Sequence, residues 1–245
     1  MNDKNPQRGV TTGPAGTGVA SSARADISAF LKQAAAVGPP KVAGERGRLI
    51  FALDATMSRQ PTWDMAQEIQ AQMFTEAARV GTLDVQLVFF RGVGECRASG
   101  WVSETGTLAG LMRKISCVGG HTQIGRVLSH AAEEAGGRRI HALVYVGDAM
   151  EEQVDDLCAK AGRLALANVP VFLFQEGGDP VAEQAFREVA RITRGAYARF
   201  EPGAAAQLAD LLKAVAVFAS GGRAALTDAS ARGARGAQLL LGQMR

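Results

Sequence analysis

The chain has 245 residues, and its 47% apolar content is enough for one sizeable buried core, which excludes an intrinsically disordered protein. No apolar run approaches the roughly 20 residues of a membrane-spanning helix, so an integral membrane protein is also excluded. The net charge of +3 comes from 27 basic and 24 acidic residues, and the basic excess lies near the two chain ends, which indicates no specific nucleic-acid-binding surface.

The first part of the chain is rich in Gly, Thr, Ser and Ala and has few large apolar side chains. Such a segment cannot bury enough surface to offset the loss of chain entropy, so we predict that residues 1–47 form a disordered basic arm. A short amphipathic helix is predicted within it, because Ile27, Phe30 and Leu31 follow Asp26 at helical spacing. The sequence starts without the apolar stretch of a signal peptide, so we expect a cytoplasmic protein.

Four short apolar runs are typical of strands that are buried on both faces of a parallel sheet. They span residues 49–53, 85–90, 142–146 and 169–174. Residues 91–95 are too few for a crossover connection, so residues 96–102 are predicted to return as an antiparallel edge strand. A last strand is predicted near residues 197–200.

Amphipathic helical patterns lie between most of these runs. Their apolar stripes are Ala66, Ile69, Met73 and Ala77; Ile124, Val127, Leu128 and Ala131; Leu157, Ala161, Leu164 and Ala165; and Phe186, Val189 and Ala190. Asp179 and Pro180 are typical of a helix start, and a further helix is predicted over residues 204–219. This alternation predicts an α/β fold, a three-layer Rossmann-like sandwich around a mainly parallel sheet with one antiparallel edge strand.

The predicted domain covers residues 48–220 and is followed by a basic C-terminal tail, residues 221–245. We expect this tail to be mobile and dispensable for folding. Three consecutive leucines at positions 239–241 interrupt its polar composition. They indicate either a latch on the domain or a short partner-binding helix.

Oxygen-bearing side chains are predicted at the sheet edge where such folds bind ligands, outside the carboxyl ends of the strands. Asp54, Thr56 and Ser58 follow the first strand at alternate positions, Thr122 opens a helix, and Asp148 follows the third apolar run. Two carboxylates and three hydroxyls are the donors that a hard divalent cation such as Mg²⁺ requires. The sequence therefore predicts a cation site with an open position for a further carboxylate.

With this Asp-x-Thr-x-Ser motif, a threonine on a second loop and an aspartate on a third, the chain resembles the von Willebrand factor type A (VWA) domain with its metal-ion-dependent adhesion site. The resemblance implies that the metal ligands are Asp54, Thr56, Ser58, Thr122 and Asp148. It also implies bound Mg²⁺ or Mn²⁺ and a non-enzymatic scaffold whose protein partner completes the metal shell with an acidic side chain. Bacterial cytosolic members of the family often act as adaptors for ATPases or chaperones, and the resemblance implies such a partner here.

The chain departs from the family pattern at two places. Thr56 stands where a serine is usual, which keeps the hydroxyl and adds a methyl group. Asp148 lies between Gly147 and Ala149 where many members have Asp-Gly, and His121 precedes Thr122. We expect this histidine to cover the site rather than to tune it.

The alternative hypothesis is a magnesium-dependent phosphatase of the haloacid dehalogenase type, which carries similar acidic motifs at its strand ends. Asp54 would then be the nucleophile, and Asp148 and Glu152 would form the last acidic motif. That chemistry uses a second aspartate as acid and base where this chain has Thr56, and only Lys114 is available as the motif's lysine. The sequence also lacks a nucleophile elbow and a Walker phosphate loop, so the non-enzymatic interpretation is favoured.

Overall fold

A single sheet of six strands organises the part of the chain that the computed structural model describes, which is residues 46–60, 63, 83–201 and 204–244. The strands are β1 (Gly47–Asp54), β2 (Leu83–Arg91), β3 (Glu95–Val102), β4 (Ala142–Gly147), β5 (Val171–Glu176) and β6 (Ala196–Phe200). They lie in the order β3-β2-β1-β4-β5-β6, with β3 antiparallel to β2 and the other neighbouring strands parallel. The predicted mainly parallel sheet with an antiparallel edge strand is confirmed.

Helices cover both faces of this sheet. Those in the described ranges are α1 (Thr105–Met112), α2 (Ile124–Gly137), α3 (Val154–Leu166), α4 (Pro180–Thr193), α5 (Ala205–Ala231) and α6 (Arg235–Leu241). Asp179 caps α4 as predicted, because its Oδ1 accepts the N–H of Ala182 at 2.6 Å. The amphipathic helix of the N-terminal arm and the apolar stripe of residues 66–77 lie outside the described residues.

Alternate residues of β1 pack into two separate apolar clusters. Leu49, Phe51 and Leu53 lie in the cluster that includes residues of α1, α5 and α6. Ile50 and Ala52 lie in the cluster that includes residues of α2, α3 and α4. All five side chains are fully buried, so β1 is a central strand covered on both faces. This arrangement confirms the predicted three-layer sandwich.

The strand predicted to begin at Val169 begins two residues later, at Val171. The N–H of Val169 donates to the carbonyl oxygen of Leu164 at the end of α3, at 2.9 Å. Pro170 follows and has no N–H for a strand ladder. Val169 is fully buried, so its apolar character belongs to the turn into β5 rather than to the strand.

The C-terminal segment packs on the domain as far as residue 244, which corrects the prediction of a separate tail over residues 221–245. Helix α5 continues to residue 231 with a bend at Gly222, whose positive φ of 69° favours glycine. Leu226 and Leu240 are fully buried and join the same apolar cluster as Leu49. Of the two expectations for the leucines at 239–241, the latch is therefore the one that agrees with the packing.

Leu240→Ala should lower the free energy of unfolding by about 2 kcal/mol, because the substitution removes buried methyl groups and leaves a cavity in the core. Leu239→Ala is the matched control, since the Leu239 side chain is exposed and should change stability by less than about 0.5 kcal/mol. Urea denaturation of both variants measures the difference. Equal stability of the two variants would show that the C-terminal helix does not stabilise the domain.

Candidate functional site

Two aspartates meet at the point where the strand order changes direction, between β1 and β4. Asp54 is the last residue of β1, and Asp148 directly follows the last residue of β4. In the register of these parallel strands Leu53 lies beside Val146, so both carboxylates come from the same sheet edge. The structure thus places the two predicted acidic residues together at the crevice where α/β folds bind ligands.

The oxygens of these two carboxylates are only partly satisfied. Asp54 is fully buried, and its Oδ1 accepts the backbone N–H of Thr56 at 2.8 Å. Its Oδ2 and the Oδ1 of Asp148 are buried without a hydrogen-bond partner among the described residues. Buried polar atoms of this kind normally have a partner, which here would be water or an ion.

Burial raises the pKa of Asp54 to about 6 from its ordinary value of 3.8, because the charged form loses hydration. Hydrogen bonds from Thr56 oppose this increase, whereas the negative charge of Asp148 adds to it. A positive charge near both carboxylates would relieve the two unfavourable effects together. The electrostatics of the pair therefore favour a bound cation.

The two hydroxyls of the first loop lie within hydrogen-bond distance of each other. Thr56 is buried, and its Oγ1 lies 3.0 Å from the Oγ of Ser58, which is exposed. The backbone N–H of Thr56 binds Asp54, so one short loop holds a buried carboxylate, a buried hydroxyl and an exposed hydroxyl in sequence. These groups are hard oxygen donors of the type that Mg²⁺ and Mn²⁺ prefer.

Thr122 lies at the same edge but is engaged with the loop that follows β4. Its Oγ1 accepts the N–H of Glu151 at 3.0 Å, and its own N–H donates to Glu151 Oε2 at 3.1 Å. No hydrogen bond joins Thr122 to Asp54 or Asp148 within the described residues. His121 is exposed, and its Nδ1 lies 3.1 Å from Glu151. Both residues therefore contact Glu151, a neighbour that the sequence motif does not include.

Glu152 has a structural role at the start of α2. Its carboxylate accepts the N–H of Ile124 at 2.5 Å and the N–H of Gly125 at 2.9 Å, which satisfies donors that a helix start leaves unpaired. Gly125 permits this approach, because a Cβ there would contact the Glu152 carboxylate and the Lys160 amine. The residue that the phosphatase hypothesis assigns to a metal motif is thus occupied as a helix cap.

A buried arginine lies beside the two aspartates and was not anticipated from the sequence. Arg59 is only 1% exposed, and its Nη1 forms an ion pair with the buried Glu176 at the end of β5. The negative charges of Asp148 and Asp54 act on the same guanidinium. The acidic residue at the end of β5 was the available signal, since Glu176 ends its strand near the point where Asp148 follows β4.

The hydroxyl of Tyr145 is a third buried oxygen near the two unpartnered carboxylate oxygens of Asp54 and Asp148. The side chain is 1% exposed, and its hydroxyl has no hydrogen-bond partner among the described residues. Burial and the negative charges of Asp54 and Asp148 hold the pKa of this phenol well above 10, so it stays neutral. Gly147 makes room for it, because a Cβ at that position would collide with the hydroxyl. The crevice is consequently polar at its base as well as at the two aspartates.

The oxygen donors at this edge are of the type that a divalent cation prefers, and the charged ones among them are Asp54 and Asp148. The described residues contain no group of three or more His, Cys, Asp or Glu side chains that could hold a metal. An ion here would depend on Asp54 and Asp148, with hydroxyls and water as the remaining donors. Because Glu176 balances the charge of Arg59, two negative charges remain for a dication.

Comparisons with known proteins agree with this architecture. No protein-family model and no curated protein matches the sequence. Among solved structures, the chain is similar to a von Willebrand factor type A protein from Catenulispora acidiphila, with a TM-score of 0.58, 16% identity and coverage of 71% of this chain. The fold is that of the VWA domain. At this identity the likeness shows the fold alone, and the chain spans 43% of the length of that protein.

Two further structures illustrate the range of proteins with this fold. The VWA domain of SpRpn10 aligns with a TM-score of 0.53 at 13% identity, over 67% of this chain and 95% of its own. The human COPII-coat protein Sec24c aligns with a TM-score of 0.52 at 10% identity, over 69% of this chain and 32% of its own. In the described residues of our chain, no helix is long and apolar enough to cross a membrane.

Proposed function

We propose that the chain is a non-enzymatic protein-binding module, a scaffold or adaptor, whose site at the carboxyl edge holds Mg²⁺ or Mn²⁺. The observation that carries this proposal is the pair of buried, unpartnered oxygens, Asp54 Oδ2 and Asp148 Oδ1, at the crevice of a VWA fold. Asp54 and Asp148 would hold the ion, with Thr56 and Ser58 as neutral donors nearby. When bound, the metal would supply an electrophilic position that accepts a carboxylate from a protein partner.

The protein's own residues prepare this position. The N–H of Thr56 fixes Asp54, and the ion pair of Arg59 with Glu176 holds the loop that carries Thr56 and Ser58 against the end of β5. Glu151 fixes Thr122 at the neighbouring loop, and the Thr122 hydroxyl oxygen keeps a second lone pair beside the hydrogen bond that it accepts.

The similar structures support the scaffold part of the proposal, since one is a COPII-coat protein and another is the VWA domain of SpRpn10. An ATPase or chaperone partner and a cytoplasmic location stay predictions from the family resemblance. The phosphatase alternative loses support, because Glu152 is used as a helix cap.

Mg²⁺ should raise the melting temperature of the wild-type protein, because a ligand that binds only the folded state adds about 2.7 kcal/mol of stability at a hundredfold excess over its Kd. Asp54→Asn should abolish this increase, and Asp148→Asn should reduce it strongly. Asp228→Asn is the control, since Asp228 is exposed on α5. Calorimetric titration with MgCl₂ and MnCl₂ measures the affinity directly.

Equal Mg²⁺ affinity of wild type and Asp54→Asn would overturn the metal site. A parallel assay with p-nitrophenyl phosphate separates the two functional hypotheses. Magnesium-dependent turnover that is lost in Asp54→Asn and retained in Asp228→Asn would favour the phosphatase.

A further inference from the structure

Large apolar side chains are exposed around the candidate cation site. Six such side chains are exposed in the described ranges, and three of them lie on the loops that surround Asp54. These three are Met57, which is 53% exposed, Val93, which is 88% exposed, and Val118, which is 41% exposed. Single exposed apolar residues are common on protein surfaces, but a group of them beside a polar crevice indicates an interaction site.

Backbone hydrogen bonds bring the three loops together. The N–H of Val118 donates to the carbonyl oxygen of Ala55 at 3.1 Å, so Val118 lies beside the loop that carries Met57. The N–H of Gly92 donates to the carbonyl oxygen of Val118 at 3.5 Å, which places Val93 on its other side. Met57, Val118 and Val93 therefore follow one another along the edge of the crevice, and we call them the apolar rim.

The local sequence keeps the two valines of the rim exposed. Val93 stands between two glycines at the tip of the turn from β2 to β3, a position that turns usually fill with polar residues. Val118 is followed by Gly119 and Gly120, and Gly120 has no space for a Cβ against Gly92. Since glycines cannot shield their neighbours, water contacts both valines unless another molecule covers them.

A positive charge lies next to the rim as well. The Nη1 of Arg126 donates to the carbonyl oxygen of Gly94 at 2.6 Å and to Gln123 Oε1 at 3.1 Å. Neither of these acceptors carries a charge, so the guanidinium at the base of the turn favours an acidic partner. The rim thus combines apolar contact area with a neighbouring positive charge that favours an acidic partner.

We infer that the apolar rim is a docking surface for a protein segment that carries one aspartate or glutamate flanked by large apolar side chains. The apolar part of this inference stands on the rim itself, whereas the role of the carboxylate rests on the proposed function. The carboxylate would face the crevice between Asp54 and Asp148, and the flanking side chains would cover Met57, Val93 and Val118. Leu166 is also exposed, but it ends α3 just before β5 begins and so lies at the opposite edge of the sheet.

Selection of a phage-displayed library of random 12-residue peptides on the immobilised protein tests this inference. The selection is run in MgCl₂, and bound phage are eluted with EDTA. It compares three proteins: wild type, the rim variant Met57→Ser/Val118→Ser and the control variant Leu166→Ser. All three substituted side chains are exposed, so the variants should fold normally. Wild type and the control should enrich peptides with a single acidic residue flanked by large apolar residues. The rim variant should lose the apolar preference.

A resynthesised peptide from the selection should bind the rim variant about tenfold more weakly than wild type and bind Leu166→Ser within about twofold. Calorimetry should give the same Mg²⁺ affinity for all three proteins. Enrichment of peptides whose acidic residue is flanked by polar residues would overturn the inference that the apolar rim is a docking surface and would leave the metal proposal intact. Apolar peptides without an acidic residue, bound equally in EDTA, would support the apolar surface and overturn the proposed function. No enrichment on wild type would overturn both.

Discussion

Arg59→Met should lower the free energy of unfolding by about 3–5 kcal/mol, because it leaves the buried carboxylate of Glu176 without its guanidinium. Arg59 is 1% exposed and Glu176 is buried, so water has little access to hydrate the carboxylate that loses its guanidinium. The substitution also removes a positive charge that interacts with both Asp54 and Asp148. Urea denaturation of the metal-free protein, by circular dichroism, measures the loss.

A double-mutant cycle with Glu176→Gln separates the ion pair from the packing of the two side chains. The double variant Arg59→Met/Glu176→Gln should be more stable than Arg59→Met alone, because the buried negative charge that lost its guanidinium is gone as well. Arg59→Lys serves as a charge-preserving control and should lose less than Arg59→Met. A loss below about 1 kcal/mol for Arg59→Met would mean that this ion pair does not hold the site together.

The strands were the most predictable part of this fold, because short continuous apolar runs between amphipathic helical patterns are typical of buried parallel strands. Residues 49–53 and 142–146 lie within β1 and β4. The two aspartates could also be predicted, since an acidic residue directly after a buried strand must lie at the sheet edge. The register of β1 and β4 then brings Asp54 and Asp148 together without any further information from the loops.

The partners of the site could not be predicted in the same way, because they depend on the paths of loops. In the sequence, Arg59 has the pattern of a solvent-exposed residue after a polar loop. Its burial follows from a short 3₁₀ turn, Met57–Arg59, that directs it toward Glu176. Glu151 and Glu152 have the pattern of an acidic start to α3, but in the structure they bind Thr122 and the first N–H groups of α2.

The C-terminal segment shows a further limit of composition arguments. Its arginines and glycines indicate a tail, but small and apolar residues at helical spacing are enough to bury one face of α5 and α6. Leu226, Ala237 and Leu240 are fully buried, while Arg232 and Arg235 are exposed. Net charge described the solvent-facing residues of this segment and gave no information about its packing.

The stability of the metal-free protein should fall as the pH rises from about 4 to about 6, to an extent set by Asp54. The folded state raises the pKa of this carboxyl from 3.8 to about 6, so between these values the folded protein binds more protons than the unfolded chain. Stability decreases with pH wherever the folded state binds the extra proton. This increase in the pKa of Asp54 corresponds to a loss of roughly 3 kcal/mol in the free energy of unfolding. The loss is complete once the pH exceeds the pKa of the folded state.

Asp54→Asn should remove this loss, because the amide keeps an oxygen that can accept the N–H of Thr56 but carries no charge. The metal-free variant should therefore gain stability relative to wild type as the pH is raised from 4 to 7, although it no longer responds to Mg²⁺. Burial also raises the pKa of Glu152, but that residue is present in both proteins and its effect cancels in the difference. Urea denaturation of both proteins at several pH values, with Asp228→Asn as control, measures this difference. A constant difference across the range would show that Asp54 is not held in a desolvated, proton-binding state, and the electrostatic argument for a cation at the crevice would lose its basis.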